Sequence, residues 1–285
     1  KLWKSPNIKT GFHISCAFSK RCAFLWDIGV QLWLFLKAGE SYFDPTGRRI
    51  IFQAIEHPPV GQEPEADYGM YIGELTFDEN GMITGLEHIQ RVSTEGSANT
   101  CGWFHPSDES VILFATTMTP LVDGDAPGYQ RDSKRYRWVF PPKMNIVVFN
   151  LDSKEFAPLI TDDEYYLAEG SWSPDGRHIV YCSLATGSGD IYVTDLQTGV
   201  SRLLVGDDGY DGGPFFSPDG KRITYRSDRR GNDLLQLYVS ELAFDETGAI
   251  VGVEKEYQLT DNKHVNWGPF WHPNNRFLIY ATSEI

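Results

Sequence analysis

Hydrophobic residues occur along most of the chain in short alternating runs, without the three- and four-residue spacing of an amphipathic helix. Runs such as residues 144–151 (MNIVVFNL), 190–196 (DIYVTDL) and 235–242 (LQLYVSEL) are rich in β-branched and aromatic residues. Turn-forming Gly, Pro, Asp and Asn residues separate these runs. The pattern predicts an all-β protein built from short strands.

Five segments of the chain resemble one another and align on a proline. The aligned prolines, spaced 61, 68, 44 and 55 residues apart, are Pro45, Pro106, Pro174, Pro218 and Pro273. An aromatic residue stands two positions before each proline, and a β-branched and aromatic run follows the turn. In a Pro-Asp-Gly turn proline presets φ, aspartate bonds back to the backbone and glycine accepts positive φ. Each segment therefore predicts a two-stranded hairpin.

A second pair of strands follows four of the five hairpins. The predicted pairs are residues 69–75 with 89–93, 144–151 with 157–161, 190–196 with 201–205, and 235–242 with 256–260. Two of the segments that join them, residues 77–87 and 244–254, have similar sequences and are predicted to be loops. Four strands per repeat is typical of a β-propeller blade.

Two copies of the repeat resemble the core motif of the TolB-like, WD40-like propeller family. They are residues 172–177 (WSPDGR) and 216–221 (FSPDGK), whereas the other three copies are degenerate. The resemblance covers residues 38–285 and implies a six-bladed β-propeller. The sequence contains five first halves of a blade and four second halves. We therefore expect an incomplete propeller with about five of six four-stranded blades present.

Residues 1–37 form an atypical segment that precedes the repeat region of residues 38–285. This segment has six basic residues and one acidic residue, Asp27, and ends in the apolar run 22–36 (CAFLWDIGVQLWLFL). The run is too short for a stable transmembrane helix. Three interpretations stay open: a signal-like segment, strands that close the propeller, and sequence foreign to it.

Charge and cysteine content narrow the classes of partner and site. The net charge of −14 argues against binding to nucleic acid or to an anionic membrane, because both require a basic face. No Cys-x-x-Cys pair is present, which argues against a zinc or redox motif. Cys101 and Cys182 lie in apolar runs and are predicted to be buried free thiols. Cys16 and Cys22 are six residues apart and could form a disulfide, but nothing in the sequence requires one.

The resemblance implies that ligands bind at the mouth of the central channel, near the start of each innermost strand. Residues at offsets of two share one strand face, and positions seven and five before the aligned prolines are rich in carboxylates and amides. The predicted ligand-binding residues are Glu40, Asn99, Glu169, Asp211, His264 and Asn266. Such side chains suit a hard cation or a cationic peptide group. The alternative is a solvated acidic channel wall that binds nothing in particular.

No catalytic set is recognisable in the sequence. Residues 170–174 (GSWSP) do not form a Gly-x-Ser-x-Gly elbow, and no histidine cluster has metal-ligand spacing. His105 and His272 occupy the serine position of the repeat and are predicted to cap its turn. We therefore predict no catalytic residue, no metal and no cofactor.

The predicted function is a non-catalytic scaffold that binds a protein or peptide partner at the channel mouth and loops. Residues 57–67 and 117–136 are candidate exposed recognition loops. The alternative is a propeller enzyme, either a metal-assisted polysaccharide lyase or a hydrolase. The resemblance favours a periplasmic or extracellular location, and the sequence does not determine the oligomeric state.

Overall fold

The structure is a computed structural model that describes residues 34–121 and 140–283. These residues form β-strands, turns and loops, with no α-helix among them. The strands are β1 (Phe35–Phe43), β2 (Arg49–Glu56), β3 (Gly69–Phe77), β4 (Ile83–Arg91), β5 (Ser97–Phe104), β6 (Val111–Pro120), β7 (Asn145–Asn150), β8 (Phe156–Ile160), β9 (Leu167–Trp172), β10 (His178–Ser183), β11 (Asp190–Asp195), β12 (Val200–Val205), β13 (Asp211–Phe216), β14 (Arg222–Ser227), β15 (Gln236–Phe244), β16 (Ile250–Gln258), β17 (Val265–Trp271) and β18 (Leu278–Ser283). The prediction of an all-β protein is confirmed.

The strands form sheets in which each strand pairs with its neighbour in sequence. Four sheets have four strands each, in the orders β1-β2-β3-β4, β5-β6-β7-β8, β9-β10-β11-β12 and β13-β14-β15-β16. The strands β17 and β18 form a two-stranded sheet. This antiparallel meander is the topology of a propeller blade, as the repeats predict.

The described residues divide into two compact units. The N-terminal unit comprises residues 34–121 and 141–170, and the C-terminal unit comprises residues 140 and 171–283. Strand β1 begins at Phe35, inside the segment that the sequence sets apart as atypical. Residues 1–33, with Cys16 and Cys22, lie outside the described residues, as do residues 122–136 of the predicted loop 117–136. The first residues of that predicted loop are instead the end of strand β6.

Each unit contains a hydrophobic core between two adjacent sheets. In the N-terminal unit the core residues are Ile51, Met70, Val92, Phe104, Ile112, Phe114, Val147, Phe149 and Leu151. In the C-terminal unit they are Val180, Ile191, Val193, Val205, Ile223, Tyr225, Tyr238, Leu242 and Ile250. Alternating apolar residues on facing strands therefore pack neighbouring sheets face to face. Cys101 and Cys182 are buried and form no disulfide, as predicted.

The proline turns have the predicted geometry. In the third sheet the hydroxyl of Ser173 donates to Asp175 Oδ1 over 2.5 Å, and the same oxygen accepts from the N–H of Arg177 over 3.0 Å. Gly176 has a φ of +73°. The histidines His105 and His272 replace serine as turn caps, because their Nδ1 atoms accept backbone N–H groups at 3.1 and 3.2 Å.

Replacing Asp175 by alanine is expected to lower the free energy of unfolding by about 1 kcal/mol. The hydroxyl of Ser173 and the N–H of Arg177 would lose the acceptor that they share. Urea denaturation measures this difference. The matched control is Asp163→Ala at an exposed loop position, which should change stability by less than about 0.5 kcal/mol. Equal effects of the two substitutions would contradict the role assigned to the turn.

The fourth strands of two sheets begin earlier than predicted. Residues 77–87 and 244–254 are tight hairpins, not loops, since β4 starts at Ile83 and β16 starts at Ile250. An aspartate closes each turn: Asp78 Oδ1 accepts from the N–H groups of Asn80 and Met82 at 2.9 and 2.8 Å. Glycines within these strands hide their alternation from sequence analysis, because glycine is rare in strands.

Candidate functional site

The first strand of every sheet has an irregular residue five positions before the aligned proline. Its backbone φ is positive in all five strands, at Glu40 (46°), Cys101 (52°), Glu169 (57°), Gly213 (58°) and Gly268 (53°). The pairing register shifts at this point in β1, β5, β13 and β17. The residue is therefore a β-bulge, and positions seven and five before the proline do not share a strand face as simple alternation predicts.

Two of the bulge positions hold a carboxylate where glycine fits equally well. A residue other than glycine in the left-handed region costs about 1 kcal/mol. Gly213 and Gly268 avoid this cost at the same position in the C-terminal unit, whereas Glu40 and Glu169 do not. Such strain is characteristic of functional positions. The glycines at matching places in two repeats were the sequence signal for this bulge, which sequence analysis missed.

The residues seven positions before the prolines connect consecutive sheets. Their backbone N–H groups donate to the carbonyl that precedes the third strand of the previous sheet. These bonds are Leu167 to Met144 (2.8 Å), Asp211 to Gly189 (2.7 Å) and Asn266 to Leu235 (3.0 Å). The side chain of Asn99 makes the equivalent bond to the Tyr68 carbonyl over 2.8 Å. This position therefore has a structural role in every sheet where it is observed.

Glu40 is the most accessible carboxylate of the predicted site. It is half-buried, and its Oε2 accepts from the hydroxyl of Thr100 at 3.1 Å and from the thiol of Cys101 at 3.3 Å. Glu169 is 3% exposed and Asn99 is 4% exposed. All three predicted residues lie in the N-terminal unit.

Asp211 is fully buried in the C-terminal unit. Burial raises the pKa of its carboxyl to about 6, although a 3.4 Å contact with Arg229 Nη2 acts in the opposite direction. Arg229 offsets only part of the burial cost because it also pairs with Asp207 at 3.0 Å and with Glu256 at 2.7 Å. Glu256 in turn accepts a short hydrogen bond from the hydroxyl of Tyr225. Sequence analysis did not identify Arg229 or Glu256, because their partners are distant in sequence.

His264 and Asn266 belong to a network at the start of β17. Asn266 is fully buried, and its amide donates to the carbonyl of Leu235 and to Asn262 Oδ1 at 2.9 and 3.0 Å. His264 is half-buried, and its Nδ1 atom has no hydrogen-bond partner among the described residues. No described hydrogen bond joins Asp211 to either residue.

The structure thus places three predicted site residues in each unit, and most of them are buried. Glu40 and His264 are the two that solvent reaches to a substantial degree. Across residues 34–121 and 140–283, no group of three or more His, Cys, Asp or Glu side chains has an arrangement that could hold a metal ion. In the same ranges no helix has the length and apolar character needed to span a bilayer.

Comparisons with known proteins agree with the fold. Residues 125–253 match the family model of the TolB beta propeller domain. An uncharacterized protein of Agrobacterium fabrum is 31% identical over 40% of this chain, and the Tol-Pal system protein TolB of Francisella tularensis is 31% identical over 34%. The matched regions span 35% and 22% of the lengths of these relatives. The structure of a putative TolB from Agrobacterium tumefaciens has a TM-score of 0.53 and 19% identity, covering 84% of this chain and 67% of that one.

Proposed function

Because the chain is a TolB-like β-propeller, we propose that it is a non-catalytic scaffold that binds a protein or peptide partner. The Francisella relative is named as a Tol-Pal system protein, which supports a role alongside other proteins. By the same comparison we propose a periplasmic or extracellular location. The matched regions cover a minor part of each relative, so these roles are proposals for this chain.

The observation that carries the proposal is the accessible carboxylate of Glu40 in the left-handed bulge. Glu40 and Glu169 occupy a backbone position at which glycine would relieve strain. Glu40 is the accessible one of the two, so we propose that its side chain has a use beyond the fold, because a half-buried carboxylate suits a lysine, an arginine or an amino terminus of a partner. Cys101 at the matching position contacts Glu40 at 3.3 Å and orients its carboxylate.

The six predicted ligand-binding residues enter this proposal unequally. Glu40 and His264 are accessible enough to contact a partner directly. Asn99, Glu169, Asp211 and Asn266 are buried, so we propose that they hold the first strands in place for the accessible residues. The loop of residues 57–67 is largely exposed and is available to extend the contact.

The alternative, a lyase or hydrolase, needs a convergent catalytic or metal-binding cluster. The described residues contain no group of His, Cys, Asp and Glu side chains suited to a metal. No observation therefore favours the enzyme over the scaffold as the proposal. Metal analysis of the purified full chain tests the point, since one bound metal per chain would support the lyase.

Removing the carboxylate of Glu40 is expected to weaken partner capture about tenfold. The experiment compares the partners that the full chain and its Glu40→Gln variant retain from a native extract, with titration of each partner identified. The variant keeps side-chain size and loses the charge. Each lost charge-assisted hydrogen bond is worth about 1 kcal/mol or more.

The control variant carries Glu155→Gln, which removes the same charge from an exposed position. It should bind as the unchanged chain does. A second variant, Glu40→Gly, should be at least as stable as the unchanged chain in thermal unfolding, because glycine relieves the left-handed strain. Equal partner binding by the Glu40→Gln variant and the control would refute the proposed site.

A further inference from the structure

A cavity of about 280 Å³ lies between the first and second sheets, within the N-terminal unit. Strands β2, β3 and β4 line it from the first sheet, and the turn between β7 and β8 lines it from the second. Ile72 and Leu151 are its apolar side chains, and five polar side chains surround them. A cavity of this volume is at the lower end of the range of ligand pockets, so it admits a small molecule.

In the C-terminal unit the corresponding place, between the third and fourth sheets, is filled by protein. His178 follows its aligned proline by four positions, as Arg49 follows Pro45. The ring of His178 is 2% exposed, and its Nε2 accepts from the N–H of Ile250 at 3.4 Å. Ile250 belongs to the long β15–β16 hairpin, whereas residues 151–155 form a short turn between β7 and β8. The short turn therefore leaves the space beside Arg49 open.

The cavity has charged groups of both signs that do not neutralise each other. Arg49 and Glu74 are register partners on β2 and β3, so their side chains leave the sheet on the same face. Arg49 Nε donates to Asp44 Oδ2 at 3.1 Å, and its Nη2 donates to the carbonyl of Glu109 at 3.0 Å. These bonds fix the guanidinium and leave its Nη1 without a hydrogen bond to a described residue. Glu74 is exposed and makes no hydrogen bond or ion pair within the described ranges.

Two further donors line the cavity beside Arg49. Lys154 Nζ donates to Gln90 Oε1 at 3.3 Å, which links the second sheet to the first across the cavity. The ammonium group has two more hydrogens, and the Gln90 amide nitrogen has two of its own. An arginine, a lysine and an amide that all have donors to spare suit a carboxylate, because its two oxygens accept several hydrogen bonds.

Two residues that line the cavity have a strained backbone. His88 has a φ of +50° and Lys154 has a φ of +62°. The pairing of β3 with β4 shifts register at His88, and this bulge brings the residue into the cavity wall. Each left-handed residue other than glycine costs about 1 kcal/mol, and such strain is characteristic of functional positions.

The placement of the two charges limits the kind of ligand. Side chains of register partners have Cβ atoms about 5 Å apart. A ligand that meets both Arg49 and Glu74 must therefore have its own opposite charges close together, as an ammonium and a carboxylate group on one carbon atom are. A ligand without net charge also avoids the repulsion that an anion would meet from a chain with a net charge of −14.

We propose that this cavity binds an α-amino acid with an apolar side chain. Arg49 and Lys154 donate to the carboxylate of the ligand, and Glu74 accepts from its ammonium group. The apolar side chain of the ligand lies against Ile72 and Leu151. The site uses none of the residues proposed above for capture of a protein partner and therefore adds a second binding activity.

Isothermal titration calorimetry of the full chain with valine, leucine and phenylalanine tests the proposal. At least one of them should bind with one site per chain. The Glu74→Gln and Lys154→Gln variants should each weaken that binding about tenfold or more, because each loses a charge-assisted hydrogen bond. Circular dichroism checks that every variant is folded.

Two control variants match these substitutions. Glu87→Gln removes the charge of the residue that pairs with Glu74 in β4 but does not line the cavity. Lys143→Gln alters another exposed lysine with a left-handed backbone, at a φ of +59°. Both controls should bind as the unchanged chain does. If they weaken binding as much as Glu74→Gln and Lys154→Gln do, the assigned site is wrong.

Analogues of the amino acid test the need for both charges. Leucinamide lacks the carboxylate and 4-methylpentanoate lacks the ammonium group, so each should bind about tenfold more weakly than leucine or worse. An analogue that binds as tightly as leucine would overturn the proposal, as would the absence of binding by all three amino acids. Neither result bears on capture of a protein partner through Glu40.

Discussion

Replacing Gly213 by alanine is expected to lower the free energy of unfolding by about 3 kcal/mol or more. Gly213 has a φ of +58°, and a Cβ atom built there would lie 2.0 Å from Nη1 of Arg226. The arginine has no room to move aside, since it is 3% exposed, lies 3.9 Å from the ring centre of Trp267 and donates to the hydroxyl of Tyr210 over 3.0 Å. Displacing a buried guanidinium from its partners adds to the cost of the left-handed backbone.

Gly268→Ala provides the matched control for this prediction. Gly268 occupies the same position of the next repeat with a φ of +53°, but a Cβ atom there would meet nothing within 4 Å. This variant should lose only the backbone contribution, about 1 kcal/mol. Chemical denaturation of both variants measures the difference between them. If both variants lose the same free energy of unfolding, the contact with Arg226 does not add to the cost of alanine at Gly213.

Replacing Asp211 by asparagine is expected to stabilise the protein by about 3 kcal/mol at pH 7.5. The pKa of Asp211 is about 6 in the folded protein against 3.8 for an unperturbed carboxyl. Between these values the folded state binds more protons than the unfolded state, so the contribution of this group to stability falls as pH rises from about 4 to about 6. Asparagine fits the same buried space without a charge, so the variant does not lose stability as the pH rises.

The measurement is the difference in unfolding free energy between the variant and the unchanged chain as a function of pH. The difference should grow from pH 4 to pH 6 and then level off. Other titrating groups cancel in this difference, among them His178, whose pKa burial lowers. A variant that is less stable than the unchanged chain at pH 7.5 would contradict the assignment.

Asp195→Asn should show the opposite behaviour. The hydrogen bonds from Arg177 lower the pKa of Asp195 to about 2. The ionised carboxylate therefore stabilises the fold above pH 4, and this contribution is lost as the pH falls through the folded-state value. The variant should be less stable by about 2 kcal/mol at neutral pH. Different factors therefore dominate the pKa values of the two carboxyls: burial raises that of Asp211, and pairing with Arg177 lowers that of Asp195.

Residue spacing within the repeats did not correctly predict which side chains of the first strands point the same way. Alternation predicts that residues two apart point the same way, but the bulge at Glu40, Cys101, Glu169, Gly213 and Gly268 breaks the alternation in every first strand. The sequence predicts Asn99 and Asn266 as ligands, but their amides donate to carbonyls of the preceding sheet. A sequence shows which polar groups are present but not which buried carbonyls they must satisfy.

The blades were predictable from the sequence because their determinants are local. The Pro-Asp-Gly turns combine a preset φ, an aspartate acceptor and a glycine within a few residues, and the alternation beside them defines the strands. The bond from Arg177 to the carbonyl of Thr247 and the bond from Asn266 to the carbonyl of Leu235 join residues that are 70 and 31 positions apart. Only the folded chain brings those residues together, because packing between sheets follows no period in the sequence.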